Sequence, residues 1–159
     1  MTPEPLTADE IAFWRALNRA MLALPRALDA DLLRSQRMSM SEYFVLMLLS
    51  ETPGRRLRMS ELAAKCTLSL SGVSRIVTRL ERSDLVVRER ACADGRGWDA
   101  VLTDAGFRRL EEAWPDHLAS VRRHLFDHAE GLDLRSVTAV MERFATDAPE
   151  PTPCDEGEC

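Results

Sequence analysis

One change of apolar spacing, between Ser60 and Leu102, restricts the fold of this chain more than any other feature of its sequence. From Ser69 to Ser83 the residues Val73, Ile76, Val77 and Leu80 recur three and four positions apart, which places them on one face of an α-helix. After Asp84 the helical period stops. Leu85 to Arg90 and Trp98 to Leu102 are short, rich in Val and Leu, and joined by a polar loop containing Asp94-Gly95, the pattern of a β-hairpin. Just upstream, Ser60 to Lys65 reads as a helix of about two turns, with Ser60 and Ser69 as the N-caps of the two helices.

On either side of this unit the chain reads as helical. Thr7-Ala-Asp-Glu10 has capping-box spacing and precedes Ile11, Trp14, Leu17, Met21, Leu24, Leu28 and Leu32, so a long first helix is expected, kinked or broken at Pro25. Ser39-Met-Ser-Glu42 repeats the capping box ahead of a short, buried second helix that ends at Thr52-Pro-Gly. Thr103-Asp104 opens a fifth helix with Phe107, Leu110, Trp114, Leu118, Val121 and Leu125 as its stripe, interrupted by Pro115. Gly131 breaks it, and Asp133 caps a last helix to about Phe144.

A short helix, a tight connection, a second helix and a basic-flanked hairpin make up the winged helix-turn-helix, whose second helix lies in the major groove of DNA. The fold class is therefore mainly α with a small β-hairpin wing. At 3.6 residues per turn, Ser71, Arg75, Thr78 and Arg82 fall opposite the apolar face of the fourth helix, with Ser74 and Arg79 beside them and no acid before Glu81. That set suits DNA, because Arg can bridge guanine O6 and N7 and hydroxyls reach phosphates or base edges. The backbone amides of Ser71 and Gly72 are read as free to hold a phosphate. In the hairpin tip, Asp94-Gly95-Arg96-Gly97, Arg96 is placed to enter a minor groove, with Asp94 either pinning it or simply forming the turn.

Charge agrees once its distribution is considered. The net charge is −5, yet Arg55 to Arg96 holds ten Lys or Arg against five Asp or Glu, while Asp147 to Cys159 carries five acids and no base. No apolar run approaches the ~20 residues of a membrane span, so a cytoplasmic protein with no membrane partner is expected. The usual signatures of hydrolases, phosphate-binding loops and zinc proteases are missing, and neither a catalytic residue nor a cofactor is expected.

Ser60-Glu-Leu-Ala, the run from Ser69 to Arg88, Asp94-Gly-Arg-Gly and Leu102-Thr-Asp-Ala-Gly together resemble the MarR family of bacterial regulators. The resemblance implies a single domain over 1–146, with the winged helix-turn-helix at 55–102 and dimerisation helices at 7–34 and 103–146, then an acidic tail over 147–159. It implies a homodimeric transcription regulator, usually a repressor, that reads a pseudo-palindrome and responds to a small, often aromatic effector. DNA-contacting roles then fall on Ser69, Ser71, Ser74, Arg75, Thr78, Arg79, Arg88, Asp94 and Arg96. Ser83-Asp84 stands where the family usually has a glycine, and Trp98 where a polar residue is frequent.

An effector pocket between the first, second and fifth helices would draw on Trp14, Leu17, Met21, Tyr43, Met47 and Trp114, although large apolar groups at helical spacing also describe plain core. His117, His124 and His128 lie along one border of the fifth-helix stripe; His124 and His128 at i, i+4 have metal-ligand spacing, but no matching ligand stands near Tyr43, and no metal site is expected. Cys66 follows Lys65 and reads as an inert thiol; the four cysteines, Cys66, Cys92, Cys154 and Cys159, show neither C-x-x-C spacing nor the density of a disulfide scaffold, although the closely spaced tail pair Cys154 and Cys159 is able to form a disulfide or meet another chain. The alternatives are a redox- or metal-responsive member of the same fold, and a protein-interaction module that kept the fold and lost DNA binding.

Overall fold

The computed structural model describes residues 4–91 and 97–146. Six helices, α1 (Ala8–Gln36), α2 (Met40–Glu51), α3 (Met59–Lys65), α4 (Leu70–Glu81), α5 (Asp104–His124) and α6 (Leu134–Thr146), accompany strands β1 (Arg56–Arg58), β2 (Val86–Arg90) and β3 (Trp98–Leu102). The expected boundaries of α2, α4 and the hairpin agree with these within a few residues.

Side-chain capping explains where the helices start. The Thr7 hydroxyl accepts from the Glu10 amide while Glu10 reaches back to the Thr7 amide, and Ser39 and Glu42 repeat the exchange at α2. Three expectations are corrected. α1 runs unbroken through Pro25, because a 29-residue helix has enough turns on both sides to tolerate one lost amide donor; α5 likewise continues through Pro115. Ser60 is not the cap of α3: the helix begins at Met59, and its cap residue is Arg58, whose amide donates to Glu61 Oε2 at 3.4 Å.

β1 was not expected. Arg56-Leu-Arg is too short to show alternation, but it pairs antiparallel with β3, giving the sheet order β1-β3-β2. Leu57 faces the core there, while Arg56 crosses the outer face to ion-pair with Glu89 on β2 and lies 3.8 Å from Asp99 on β3.

The core forms where α2, α3, α4, α5 and the sheet meet. Tyr43, Val45, Leu46, Leu49, Leu62, Val73, Val77 and Val86 are fully enclosed, each large apolar group contributing about 1.5–3 kcal/mol. α1 and α6 differ. The first turns of α1 are exposed throughout, and α6 turns Leu134, Val137, Met141 and Phe144 to solvent.

Candidate nucleic-acid interface

Ser69 holds the start of α4, its Oγ accepting from the Gly72 amide at 3.1 Å and lying 3.1 Å from Ser71 Oγ. The Gly72 amide is therefore spent on the cap, which corrects its expected freedom to bind phosphate. Four apolar residues, Val73, Ile76, Val77 and Leu80, lock α4 onto the core, so the opposite face is presented outward. Ser71, Arg75, Arg79 and Arg82 are exposed on it, and Ser74 and Thr78 are half-buried toward the hairpin. Arg75 and Arg82 have no side-chain partner among the described residues.

Two of the arginines expected at DNA already have protein partners. Arg79 Nε donates to Glu42 Oε1 on α2 at 2.9 Å. Burial pushes the Glu42 carboxyl up, but Arg79 and the Ser39 cap outweigh it and hold the group below its ordinary value. Glu42 was legible only as a capping residue; its second partner lies 37 positions away in the chain. Arg88 points from β2 toward α4: its Nη2 donates to Ser74 O at 2.8 Å, Ser74 Oγ at 3.1 Å and Thr78 Oγ1 at 3.0 Å, and its Nη1 lies 2.9 Å from Glu81 Oε2.

Beside this contact a cleft of about 690 Å³ separates α4 from the hairpin, lined by Leu70, Ser74, Glu81, Arg88, Gly97 and Trp98 among others. The Arg90 guanidinium lies over the Trp98 ring, 4.7 Å from its centre, at the strand pair next to the hairpin loop. Asp94 and Arg96, with Cys92, lie outside the described residues, as do Cys154 and Cys159.

The residues expected to line an effector pocket divide. Tyr43 is buried on α2 with its ring centre 4.4 Å from that of His117, and the Trp114 ring centre lies 6.4 Å from that of His117. Tyr43 OH and His117 Nδ1 are both enclosed without a hydrogen-bond partner among the described residues. Burial, aided by the Glu51 charge, pushes the Tyr43 phenol up to about 12, and burial pushes the His117 imidazole down. Both are therefore neutral near pH 7. Leu17 and Met47 are half-buried, whereas Trp14 and Met21 are more than half exposed on α1.

The histidines do not share one surface. α5 ends at His124, and His128 lies in a following 3-10 turn, which removes the i, i+4 geometry proposed for a metal. His124 Nε2 instead lies 2.8 Å from Asp31 on α1, a carboxylate that also accepts from Ser120 at 2.7 Å, from Arg123, and from Arg34 at 2.8 Å. These contacts, Ser120 first, hold the Asp31 carboxyl far below the usual carboxylate range. Burial raises the Cys66 thiol, so the neighbouring Lys65 does not activate it.

The family model for the MarR family matches residues 38–97. A MarR family transcriptional regulator from Streptomyces coelicolor, solved in complex with DNA, is 36% identical, with 99% of this chain and 97% of that one covered at a TM-score of 0.85. The HTH-type transcriptional repressor MdtR of Bacillus subtilis is 28% identical over 134 residues, 81% of this chain and 85% of that protein. An HTH-type transcriptional regulator of Bacillus cereus is 40% identical over 63 residues, so the match spans only 41% of its length.

Proposed function

The chain belongs to the MarR family of transcriptional regulators, and from that premise we propose that it is a repressor that binds a pseudo-palindromic operator as a homodimer and releases it when a small effector binds. One observation carries this reading: α4 is anchored by a wholly apolar face and presents Ser71, Arg75, Arg79 and Arg82 outward beside the hairpin. Ser69, Ser71, Ser74, Arg75, Thr78 and Arg79 form the major-groove surface, and Asp94 and Arg96 are the residues assigned to a contact with an adjacent minor groove. Repression is supported by the repressor among its relatives.

Dimerisation is supported by the unpaired apolar residues of α1 and α6, which no soluble monomer needs to expose together. Two lobes related by a two-fold axis would meet half-sites about 34–36 Å apart. Tyr43, His117 and Trp114 lie side by side where α2 meets α5, and a neutral aromatic effector would bind against this cluster, reaching the enclosed Tyr43 hydroxyl and His117 Nδ1 only when that contact opens. Double-stranded DNA, a second copy of the chain and this effector are the partners the reading requires.

The test is fluorescence anisotropy with the intergenic DNA beside the protein's own gene, across a salt series and against a scrambled duplex. The expected result is saturable binding at least ~10³-fold tighter than to the control, with one dimer per pseudo-palindrome. Equally weak binding to both, and to fragments selected genome-wide, would leave a protein-interaction module in place of a DNA reader.

A further inference from the structure

The Arg88 guanidinium faces inward at the point where the hairpin meets α4, and accounting for its hydrogen bonds separates two roles that an arginine can have on a DNA-binding surface. A phosphate contact needs donors turned outward. Here Nη2 is directed at Ser74 O, Ser74 Oγ and Thr78 Oγ1, while Nη1 faces Glu81 Oε2. The Arg88 amide donates in addition to Glu81 Oε1 at 3.2 Å, so main chain and side chain of β2 are both tied to α4.

We infer that Arg88 is a positioning residue, which clamps the wing to the recognition helix and sets the directions of the Ser74 and Thr78 hydroxyls, and does not itself contact DNA. The inference rests on the DNA-binding reading given above. Thr78 donates its one hydroxyl proton to Ser74 O at 2.8 Å and accepts from Arg88, so it has no proton left for a phosphate. Ser74 accepts from Arg88 and keeps its proton, which makes it a directed donor toward an acceptor on DNA. Glu81, 2.9 Å away, offsets the Arg88 charge, and both side chains are about three-quarters buried, where salt screens little. Only the planar fork of arginine reaches all these acceptors at once; a lysine would supply the charge without the geometry.

Positioning and phosphate contact differ in what they do to sequence preference and to salt dependence. Wild type first selects its preferred duplex from a random-sequence pool, and anisotropy then measures that duplex and a scrambled one across about 50–200 mM salt. For Arg88→Ala and Arg88→Lys, the preference for the selected duplex is expected to fall about tenfold or more. Affinity for the scrambled duplex and the log–log salt slope should stay as in wild type. A thermal melt confirms that each variant is folded; should the alanine variant not fold, Arg88→Lys and Glu81→Gln carry the test, the latter also expected to lose preference at unchanged slope.

The inference is overturned if Arg88→Ala weakens both duplexes alike and lowers the slope by about one unit while Arg88→Lys restores them. It is equally overturned if neither variant changes the preference, or if Glu81→Gln tightens both duplexes equally. A wild type that selects no duplex at all overturns the DNA-binding reading itself, and is seen before any variant is made.

Discussion

Gly106 shows how one residue can join two elements. A Cβ there would lie 2.0 Å from the carbonyl oxygen of Leu85 and 2.7 Å from a Leu102 methyl. Only a bare backbone lets the start of α5 sit on the turn before β2. Thr103 completes the joint: its hydroxyl accepts from the Gly106 amide at 2.9 Å and donates to Asp84 O at 2.7 Å. The Leu102-Thr-Asp-Ala-Gly pattern, legible in the sequence only as a resemblance, thus has a steric cause. Gly106→Ala is expected to cost about 1–3 kcal/mol, read as a lower urea midpoint at unchanged slope. Asp84 itself takes a left-handed φ of 56°, which is why a glycine suits that position and why an aspartate, among the side chains that tolerate it, stands there. On the reading face, Arg75 has no side-chain partner among the described residues, so Arg75→Ala should leave the melting temperature unchanged and cost about 1–3 kcal/mol of operator affinity. Arg96→Ala should mainly lower the salt slope, measured in the same titrations.

At the scale of elements, the packing of α5 against α1 and α2 rests on side chains whose roles depend on distant partners. His117 meets Tyr43 across the α2–α5 contact and is kept neutral by burial. Its folded pKa lies below the unfolded value, so the unfolded chain binds more protons as pH falls below about 6.5. Its contribution to stability is complete above that value and is lost progressively below it. Urea unfolding of wild type should therefore show stability declining from roughly pH 7 to 5, and His117→Phe should flatten that decline; an unchanged slope would mean that another group governs it. The Asp31 contacts act at lower pH: a carboxyl held low contributes fully above its ordinary value and loses that contribution progressively as pH falls from there toward its folded value. Neither contact was legible in the sequence. Helical periodicity put the three histidines on one border, and the end of α5 at His124 then separated His128 from the other two.

For the whole molecule, α2, α3, α4, the sheet and the facing sides of α5 and the end of α1 enclose one core, whereas the rest of α1 and α6 leave apolar residues uncovered. Phe13, Trp14, Met21 and Leu22 on α1, and Met141 and Phe144 on α6, are each more than a third exposed. A second copy covering these faces would remove the exposure. Val137→Glu with Met141→Glu is expected to shift the protein to monomer in sedimentation equilibrium and to abolish tight operator binding, while the melting of the lobe persists. Retention of a dimer would place the interface elsewhere. Charge has the same division: the reading segment is basic within a chain of net charge −5, so DNA binding depends on one face and not on the total.

The sequence by itself determined the element order, the apolar face of α4 and the hairpin, because these follow from periodicities of two and 3.6 and from caps that act over three residues. It did not determine β1, whose three residues become a strand only through β3, more than forty positions on. Nor did it determine which arginines face outward. Arg75, Arg79 and Arg88 are alike in one dimension, and tertiary structure separated them by bringing Glu42 to one and Glu81, Ser74 and Thr78 to another. Hydrogen-bond partners that lie far apart in the chain are set by packing, and packing decides which charge remains for a ligand.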